Sequence, residues 1–206
     1  PSVCVAIAQG ANAVLSSSDP TGGADKWTTV HLAHGLQTVT CTTPHLCLLG
    51  DDHGDVRTST DPTGRAGAWS FAHIFGAPGY TDDLHAATCG SAHYCLISAV
   101  YGFGDVLILA TDPTGTKPMT PGVWQDQVAS THNYATFTSG SCAGGFCAFA
   151  TDNGLVYYPG RSFRTLTHQR VDPGLPPAKA TESISCVSRS WCAMADGAGK
   201  LFIGTS

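Results

Sequence analysis

Glutamate and lysine are scarce in this sequence of 206 residues, which has a single glutamate, Glu182, and four lysines. Surface helices draw heavily on both residue types, so their scarcity argues against a helical protein. Turn-forming and β-forming residues dominate instead, and glycine alone occurs 24 times. The composition therefore favours an all-β fold.

Positive charge is also scarce, with ten lysines and arginines against fifteen acidic residues and a net charge of −5. So few cations would neutralise little of a phosphate backbone, which argues against a nucleic-acid partner. No apolar run reaches the roughly 18 residues of a membrane-spanning helix. The chain opens on an apolar strand-like segment without a charged leader, so we expect any export signal to be removed or to lie outside this sequence.

Cysteine, by contrast, is abundant, with nine residues. Eight of them form close pairs separated by four or five residues, and the pairs are spread along the chain rather than gathered as zinc knuckles are. A disulfide across a hairpin fits this spacing better than zinc, and each would stabilise the fold by roughly 2 kcal/mol. The predicted disulfides are Cys41–Cys47, Cys89–Cys95, Cys142–Cys147 and Cys186–Cys192, with Cys4 unpaired. Such cysteine usage predicts a secreted protein, in an extracellular or cell-envelope compartment.

The cysteines also mark an internal repeat, because cysteines at 4, 47, 95, 147 and 192 each open a similar apolar strand. A strand ending in cysteine precedes that strand in four copies. A glycine-bearing turn, a third strand and, after a second turn, a fourth strand follow it. Four short strands per repeat predict a β-propeller of four-stranded antiparallel blades in five repeats. We expect one domain, 1–206, with blades at about 1–34, 35–76, 84–130, 135–170 and 181–206.

An Asp-Pro-Thr-Gly motif follows the third strand in three repeats, and a tryptophan comes a few residues later. It resembles the Asp-box (BNR-like) turn of sialidase-type and sortilin-type propellers. The repeat as a whole resembles secreted, cysteine-containing propellers of high-GC bacteria. The resemblance implies that the turn joins a blade's third and fourth strands, that its aspartate accepts backbone N–H bonds and that its tryptophan caps the apolar layer. The motif residues are Asp19, Gly22 and Trp27; Asp61, Gly64 and Trp69; and Asp112, Gly115 and Trp124. The fourth copy departs from the motif and lacks the aspartate.

This placement gives blade one its second to fourth strands and blade five its first to third, eighteen of twenty expected strands. Two interpretations remain open: a trimmed five-bladed ring, or part of a larger propeller of six or seven blades. Cys4 is then a free thiol or pairs outside this chain. The tryptophans, like Leu46, Tyr94, Phe146 and Trp191 before each second cysteine, recur at fixed positions. Recurrence indicates packing between blades rather than sugar stacking.

Metal ligation is not predicted. The aspartate-rich turns Asp51–Asp55, Asp152–Gly154 and Asp196–Gly199 lack the further oxygen ligands of a calcium loop and are expected to be hairpin turns. The nine histidines show no metal-ligand spacing, and His31 and His34 are expected to be hydrated at a strand end. No cofactor is expected.

Irregularity is expected on one side of the propeller only. The connection between blades varies from 14 to 23 residues, counted from the tryptophan or its equivalent to the next cysteine. Length variation confined to one side often marks the binding side of a repeat protein. The candidate ligand-binding residues there are Tyr80, Asp82, Asp83, Tyr101, Phe103, His132 and Tyr134.

The hypothesis that follows is a secreted, non-catalytic binding or assembly module for a glycan, peptide or protein. An alternative is a structural subunit of an oligomer or other extracellular assembly that completes its sheets with a neighbour's strand. A glycoside hydrolase is less favoured. The sequence has six arginines, mostly near turns or strand ends, and a single glutamate. This suits neither the arginine triad of sialidases nor the carboxylate pair of other propeller glycosidases.

Overall fold

The computed structural model describes residues 3–74, 83–101, 104–111, 113, 124–127, 136–159, 166–171 and 181–205. These residues form eighteen strands in five antiparallel sheets. Sheet 1 contains β1 (Cys4–Ala8), β2 (Ala13–Ser17) and β3 (Thr28–His31); sheet 2 contains β4 (Leu36–Thr43), β5 (Leu46–Asp51), β6 (Asp55–Ser59) and β7 (Ser70–His73). Sheet 3 contains β8 (Leu84–Ser91), β9 (Tyr94–Tyr101), β10 (Gly104–Ala110) and β11 (Trp124–Gln127). Sheet 4 contains β12 (Phe137–Ala143), β13 (Phe146–Thr151), β14 (Leu155–Pro159) and β15 (Leu166–Arg170); sheet 5 contains β16 (Thr181–Ser188), β17 (Trp191–Asp196) and β18 (Leu201–Thr205).

The chain is a β-propeller, as predicted. Within each sheet, consecutive strands are hydrogen-bonded neighbours. We label the strands of a full sheet A to D, so that β1–β3 correspond to B, C and D and β16–β18 to A, B and C. Short 3₁₀ turns at Gln9–Ala11, Ala24–Lys26 and Ala66–Ala68 are the described helical segments. No helix among the described residues is long and apolar enough to cross a membrane.

The Asp-Pro-Thr-Gly turns join strands C and D in sheets 1 and 2. The main-chain carbonyl of Asp61 accepts the Gly64 N–H at 3.0 Å, while its carboxylate accepts the Thr63 hydroxyl at 3.1 Å. The group of the aspartate that accepts a backbone N–H is therefore its main-chain carbonyl. Gly64 is required for space, because a Cβ there would lie 2.8 Å from Asp61 Oδ2 and 2.7 Å from Ala68 Cβ. Asp112 and Gly115, in the third copy, lie outside the described residues.

Each sheet has two faces, and successive sheets pack face to face. We call the face that carries Cys47, Cys95, Cys147 and Cys192 the cysteine face. The opposite face carries the residue just before each of these cysteines. The cysteine face of sheet 2 packs against sheet 1 through Cys47 and Leu49, with Trp69 5% exposed in the same cluster. Trp27 is half-buried. Similar apolar clusters lie between sheets 2 and 3, 3 and 4, and 4 and 5.

Four disulfides join strands A and B, and they are the four predicted pairs. The paired cysteines lie directly opposite each other in the strand register, which places both sulfurs on one face. Cys4 is exposed and is the free cysteine.

Candidate functional site

The B–C turns meet the D–A connections at one end of the sheets, which we call the variable end. Two aspartates tie these segments together within a sheet. Asp52 Oδ1 accepts the Gly35 N–H at 2.9 Å, and Asp152 Oδ1 accepts the Thr136 N–H at 3.0 Å. The opposite end, which carries the A–B and C–D turns, is the disulfide end.

One candidate residue, Asp83, has a described side chain. It is half-buried just before β8, and its carbonyl accepts the Val100 N–H at 3.1 Å. Tyr101 ends β9, and only its backbone is described. Tyr80, Asp82, Phe103, His132 and Tyr134 lie outside the described residues, so their role in ligand binding stays a prediction.

Sheets 1 and 2 carry a group of titratable side chains at the variable end that was not among the candidates. We call it the His–Asp cluster. Its acidic members come from the B–C turn of sheet 2, and its histidines come from that turn, from β7 and from the connection between β3 and β4. The members are His34, Asp51, Asp52, His53, Asp55 and His73.

Asp55 is the buried centre of the cluster, with 4% of its surface exposed. It lies opposite His73 in the register of β6 and β7, and its Oδ1 is 2.7 Å from His73 Nδ1. Its second oxygen, Oδ2, is 3.7 Å from His34 Nε2. One buried carboxylate therefore contacts two imidazoles, one from β7 and one from the connection between sheets 1 and 2.

A second carboxylate–imidazole pair lies beside the first. Asp52 Oδ1 is 2.6 Å from His53 Nδ1, and this hydrogen bond raises the pKa of His53 above its ordinary value. Burial opposes ionisation of Asp52, but its hydrogen bonds from His53 and Gly35 hold its pKa below the ordinary value. The rings of His53 and His34 are 4.2 Å apart, centroid to centroid.

The backbone around His34 is shaped to allow this approach. His34 has φ +70°, in the left-handed region that few residues other than glycine adopt. Gly35 follows, and a Cβ there would overlap Asp52 Oδ2. A side chain at position 35 would therefore separate the connection from the turn and displace His34 from the cluster.

Asp51 stabilises the turn itself. Its Oδ1 accepts the N–H groups of His53 and Asp55, both at 2.9 Å, whereas its buried Oδ2 has no hydrogen-bond partner among the described residues. Burial raises its pKa above the ordinary value. Asp196 is the matching residue in sheet 5 and accepts two N–H groups of its own turn in the same way.

The imidazoles of the cluster are exposed to solvent, and the carboxylates of Asp52 and Asp55 lie against them. The side chains of His34, His53 and His73 are 39%, 58% and 54% exposed. With Nδ1 of His53 and of His73 held by a carboxylate, Nε2 of each ring is left to bond a ligand. Within the described part of the chain, no three His, Cys, Asp or Glu side chains are placed to hold a metal ion. The arrangement suits hydrogen bonding and charge recognition.

A further acidic group connects two sheets at this end. Asp105 is 2% exposed, and its Oδ2 accepts the N–H of Phe137, the first residue of the next sheet, at 2.6 Å. Burial raises the pKa of Asp105 to about 7, and the neighbouring charge of Asp152 acts in the same direction.

An open groove of about 870 Å³ lies between sheets 4 and 5. It is bordered by β18, which is strand C and the outermost described strand of sheet 5. In the four-stranded sheets, strand D lies beside strand C. The residues that line it include Tyr158, Gln169, Arg170, Met194 and Phe202.

No protein-family model and no curated protein matches this sequence. Solved propellers match its structure. The β-propeller domain of Cps50 (Swd1) from Myceliophteria thermophila has a TM-score of 0.57 and 11% identity over 94% of this chain and 63% of its own. YCF48 from Cyanidioschyzon merolae has a TM-score of 0.58 and 12% identity over 95% and 66%. A structure of YCF48 bound to D1 peptide has a TM-score of 0.57 and 10% identity over 94% and 58%. This chain thus spans less than two thirds of each of these propellers, and at such identity the likeness concerns the fold.

Proposed function

We propose that this protein is a non-catalytic binding module that holds a peptide or protein segment at the variable end of its sheets, with the His–Asp cluster as the contact site. The observation that carries the proposal is the set of three exposed imidazoles aligned by carboxylates of which one, Asp55, is almost fully buried. Burying a carboxylate is costly, and the side chains that accept the N–H groups of His53, Asp55 and Gly35 around this turn are those of Asp51 and Asp52. Asp55 and the histidines therefore exceed what the turn needs.

The cluster also suits a peptide chemically. Imidazoles and carboxylates within a few ångströms of each other offer hydrogen-bond donors and acceptors to backbone amides and attract basic side chains. A structurally similar propeller, YCF48, has been observed with a bound peptide. The predicted residues Asp83 and Tyr101 belong to the same end of sheet 3 and would extend the contact. We also propose that the repeat is an Asp-box-like repeat, as its Asp-Pro-Thr-Gly turns indicate.

The compartment proposed for this function is extracellular or at the cell envelope. Four disulfides in a chain of this size fit an oxidising environment, because cytosolic thiols are kept reduced.

The test is binding to two arrays, one of synthetic peptides and one of glycans, followed by affinity measurement of the best ligand with the variant His53→Ala/His73→Ala. We expect peptide ligands, and a loss of affinity of about tenfold or more in the variant, as for the loss of two good polar contacts. The matched control is His45→Ala/His93→Ala, which removes two exposed histidines from the disulfide end.

The control variant should bind as the unchanged protein does. Equal binding by both variants would contradict the assigned site. A ligand found only on the glycan array would contradict the peptide assignment while leaving the site open to the same pair of variants.

A further inference from the structure

Equivalent positions of the repeat are filled by similar residues where sheets pack together. Leu46 lies in the cluster between sheets 2 and 3, Tyr94 packs against the cluster between sheets 3 and 4, and Phe146 against the one between sheets 4 and 5. These three confirm the prediction that the residue before each second cysteine packs between blades, whereas Trp191 in sheet 5 is 40% exposed and does not meet it. A change of residue type at a packing position therefore points to a role other than packing.

Sheet 2 shows such a change on strand C, at the residue that pairs with the position two after the second cysteine. In the four other sheets this residue is apolar or aromatic, namely Leu15, Ile108, Tyr157 and Phe202. In sheet 2 it is Arg57, opposite Leu49. Ile108 and Tyr157 are buried in the clusters between sheets, so a cation at this position has a desolvation cost that the repeat does not require.

The residue opposite Arg57 on strand D departs from the repeat in the opposite sense. By register, its equivalents are the polar residues Thr29, Asp126 and His168. Sheet 2 has Phe71 there, 50% exposed, and Arg57 Cζ lies over its ring at 5.0 Å from the ring centre. Sheet 2 thus places the charged residue inside and the apolar residue outside, and the two form a cation–π pair at the surface.

Arg57 has no acceptor among the residues that the structure describes. Its Nε is buried without a hydrogen-bond partner there, and none of the described carboxylates forms an ion pair with it. Trp69 Nε1, two residues before Phe71 and in the same interface, is also buried without such a partner. Buried polar groups are normally hydrogen-bonded, so these donors mark a place where an anionic acceptor is expected.

The Arg57–Phe71 pair lies on the outside of the fold, between two described sheets. Strands A of sheets 2 to 5 contact one another in turn, which places strand A innermost and strand D outermost. Phe71 is on β7, which is strand D, and sheet 1 packs against the same face of sheet 2. Its exposure is therefore that of a residue on an outer strand, and it does not depend on what precedes β1 or follows β18.

The pair also lies beside the His–Asp cluster. Asp55 and His73 face each other on the same two strands, two residues further toward the variable end. Two residues of a strand span about 7 Å, so an extended segment that contacts His73 can also reach Arg57. Both oxygens of Asp55 lie against imidazoles, which leaves Arg57 to bind an anion from outside the chain.

We propose that Arg57 binds a carboxylate of the peptide ligand, with Phe71 holding the guanidinium in place. The inference rests on the proposed function, because it adds a carboxylate to the ligand held at the His–Asp cluster. A carboxylate fits better than a phosphate, since one guanidinium matches one negative charge and the buried carboxylates of Asp51 and Asp55 oppose a second. An Asp or Glu side chain and a peptide C-terminus both offer this group, and a guanidinium can bind either through two N–H groups.

The test is an array in which each peptide has three forms: unchanged, with Asn and Gln in place of Asp and Glu, and with an amidated C-terminus. For the best ligand, we expect one of the two amide forms to bind about tenfold or more weakly, which identifies the source of the carboxylate. Arg57→Met should weaken binding of the carboxylate form by the same factor and leave that of the amide form unchanged. Methionine suits a position that is apolar in the other sheets, and near-ultraviolet circular dichroism checks that the variant is folded.

Three further variants separate this contact from the cluster and from positive charge in general. Arg189→Met removes an exposed arginine from the A–B turn of sheet 5 and should bind both forms as the unchanged protein does. His53→Ala/His73→Ala should weaken binding of both forms by the same factor. Phe71→Thr, which removes the ring beneath the guanidinium, should weaken binding of the carboxylate form about threefold.

The results distinguish the carboxylate contact from the proposed function. Equal loss of both forms in Arg57→Met, or loss of neither, would overturn the inference; if His53→Ala/His73→Ala still loses affinity, the proposed function stands without it. Loss of the carboxylate form in Arg57→Met, with full binding by His53→Ala/His73→Ala, would support the contact and contradict the role of the cluster. Binding of no peptide in any form would overturn both.

Discussion

The two ends of the sheets differ in how faithfully they repeat. At the disulfide end, the same cross-strand cysteine pair occurs in four sheets, and the Asp-Pro-Thr-Gly turn has the same hydrogen bonds in sheets 1 and 2. At the variable end, the turn of sheet 2 carries the His–Asp cluster, sheet 3 uses Asp105, and sheet 4 uses Asp152 with no histidine in its turn. Repetition accompanies contacts that hold the fold, and the divergence lies in the polar groups added to them, which are exposed histidines in sheet 2 and the buried Asp105 in sheet 3.

This contrast has a physical reason. A short blade cannot bury both faces alone, so every repeat needs the same local constraint to place its strands against its neighbours. A ligand contacts only some of the repeats, which leaves each turn at the other end free to differ. The contrast predicts that changes at the disulfide end mainly reduce stability, whereas changes at the variable end alter binding or pH response.

The largest effect is expected from removing the Cys89–Cys95 disulfide with Cys89→Ala/Cys95→Ala. Both residues are buried in the cluster between sheets 2 and 3, so the variant loses a cross-link and packed sulfur. We expect the free energy of unfolding to fall by about 2–5 kcal/mol, measured by urea denaturation. Cys4→Ser is the control and should leave the midpoint unchanged; an unchanged midpoint in the double variant would refute the assigned role of the disulfides.

An intermediate effect is expected from Gly64→Ala in the C–D turn of sheet 2. The added Cβ would crowd Asp61 and Ala68, and overpacking of this kind costs about 1–3 kcal/mol. Gly67→Ala is a matched control in the same connection, because a Cβ there meets nothing within 4 Å. Thermal unfolding of the two variants checks the prediction, and equal melting temperatures would contradict it.

The smallest effect, and one of opposite sign, is expected from Asp105→Asn at the variable end. The pKa of Asp105 is raised to about 7 in the folded protein from 3.8, so the folded state binds its proton more tightly than the unfolded chain does. The stability associated with this group is full below about pH 4 and is lost as the pH rises through 7. Asparagine keeps a carbonyl acceptor for the Phe137 N–H and cannot ionise.

We therefore expect Asp105→Asn to raise the free energy of unfolding at pH 8 by about 1–2 kcal/mol, with little difference near pH 4. Urea denaturation at both pH values measures it. Asp25→Asn, at a side chain 77% exposed, is the control and should show no such gain at high pH. A gain for Asp105→Asn that is the same at both pH values would show that packing and not ionisation is responsible.

Much of the fold was accessible from the sequence. The cysteine spacing predicted the four disulfides, and the turn motif predicted which strands each sheet contains. Both predictions were possible because the residues that make up each pattern lie within a few positions of one another in the sequence. The candidate ligand-binding residues also came from local reasoning, because connection length can be counted. Of these residues, the side chain of Asp83 and the backbone of Tyr101 are described, and ligand binding by them remains a prediction.

The His–Asp cluster was not predicted, although part of its signal was present. The run from Asp51 to Asp55 was recognised as a turn, and His34 was assigned a hydrated role. His73 gave no signal by itself, because only the pairing of β6 with β7 brings it to Asp55. His34 and His73 are far apart in the sequence, so the sequence does not indicate that the buried carboxylate of Asp55 contacts both of them.

By itself, the sequence determined the strand periodicity, the hairpin cross-links and the order of strands within each sheet, because these depend on neighbours a few residues apart. The tertiary structure decided which repeated positions are buried. Phe146 and Trp191 hold the same place in their repeats, yet sheet 5 covers the first, whereas the second faces solvent. It also decided that three distant histidines share one acidic turn. Burial and electrostatic coupling depend on which surfaces meet, and that is a property of the packed sheets.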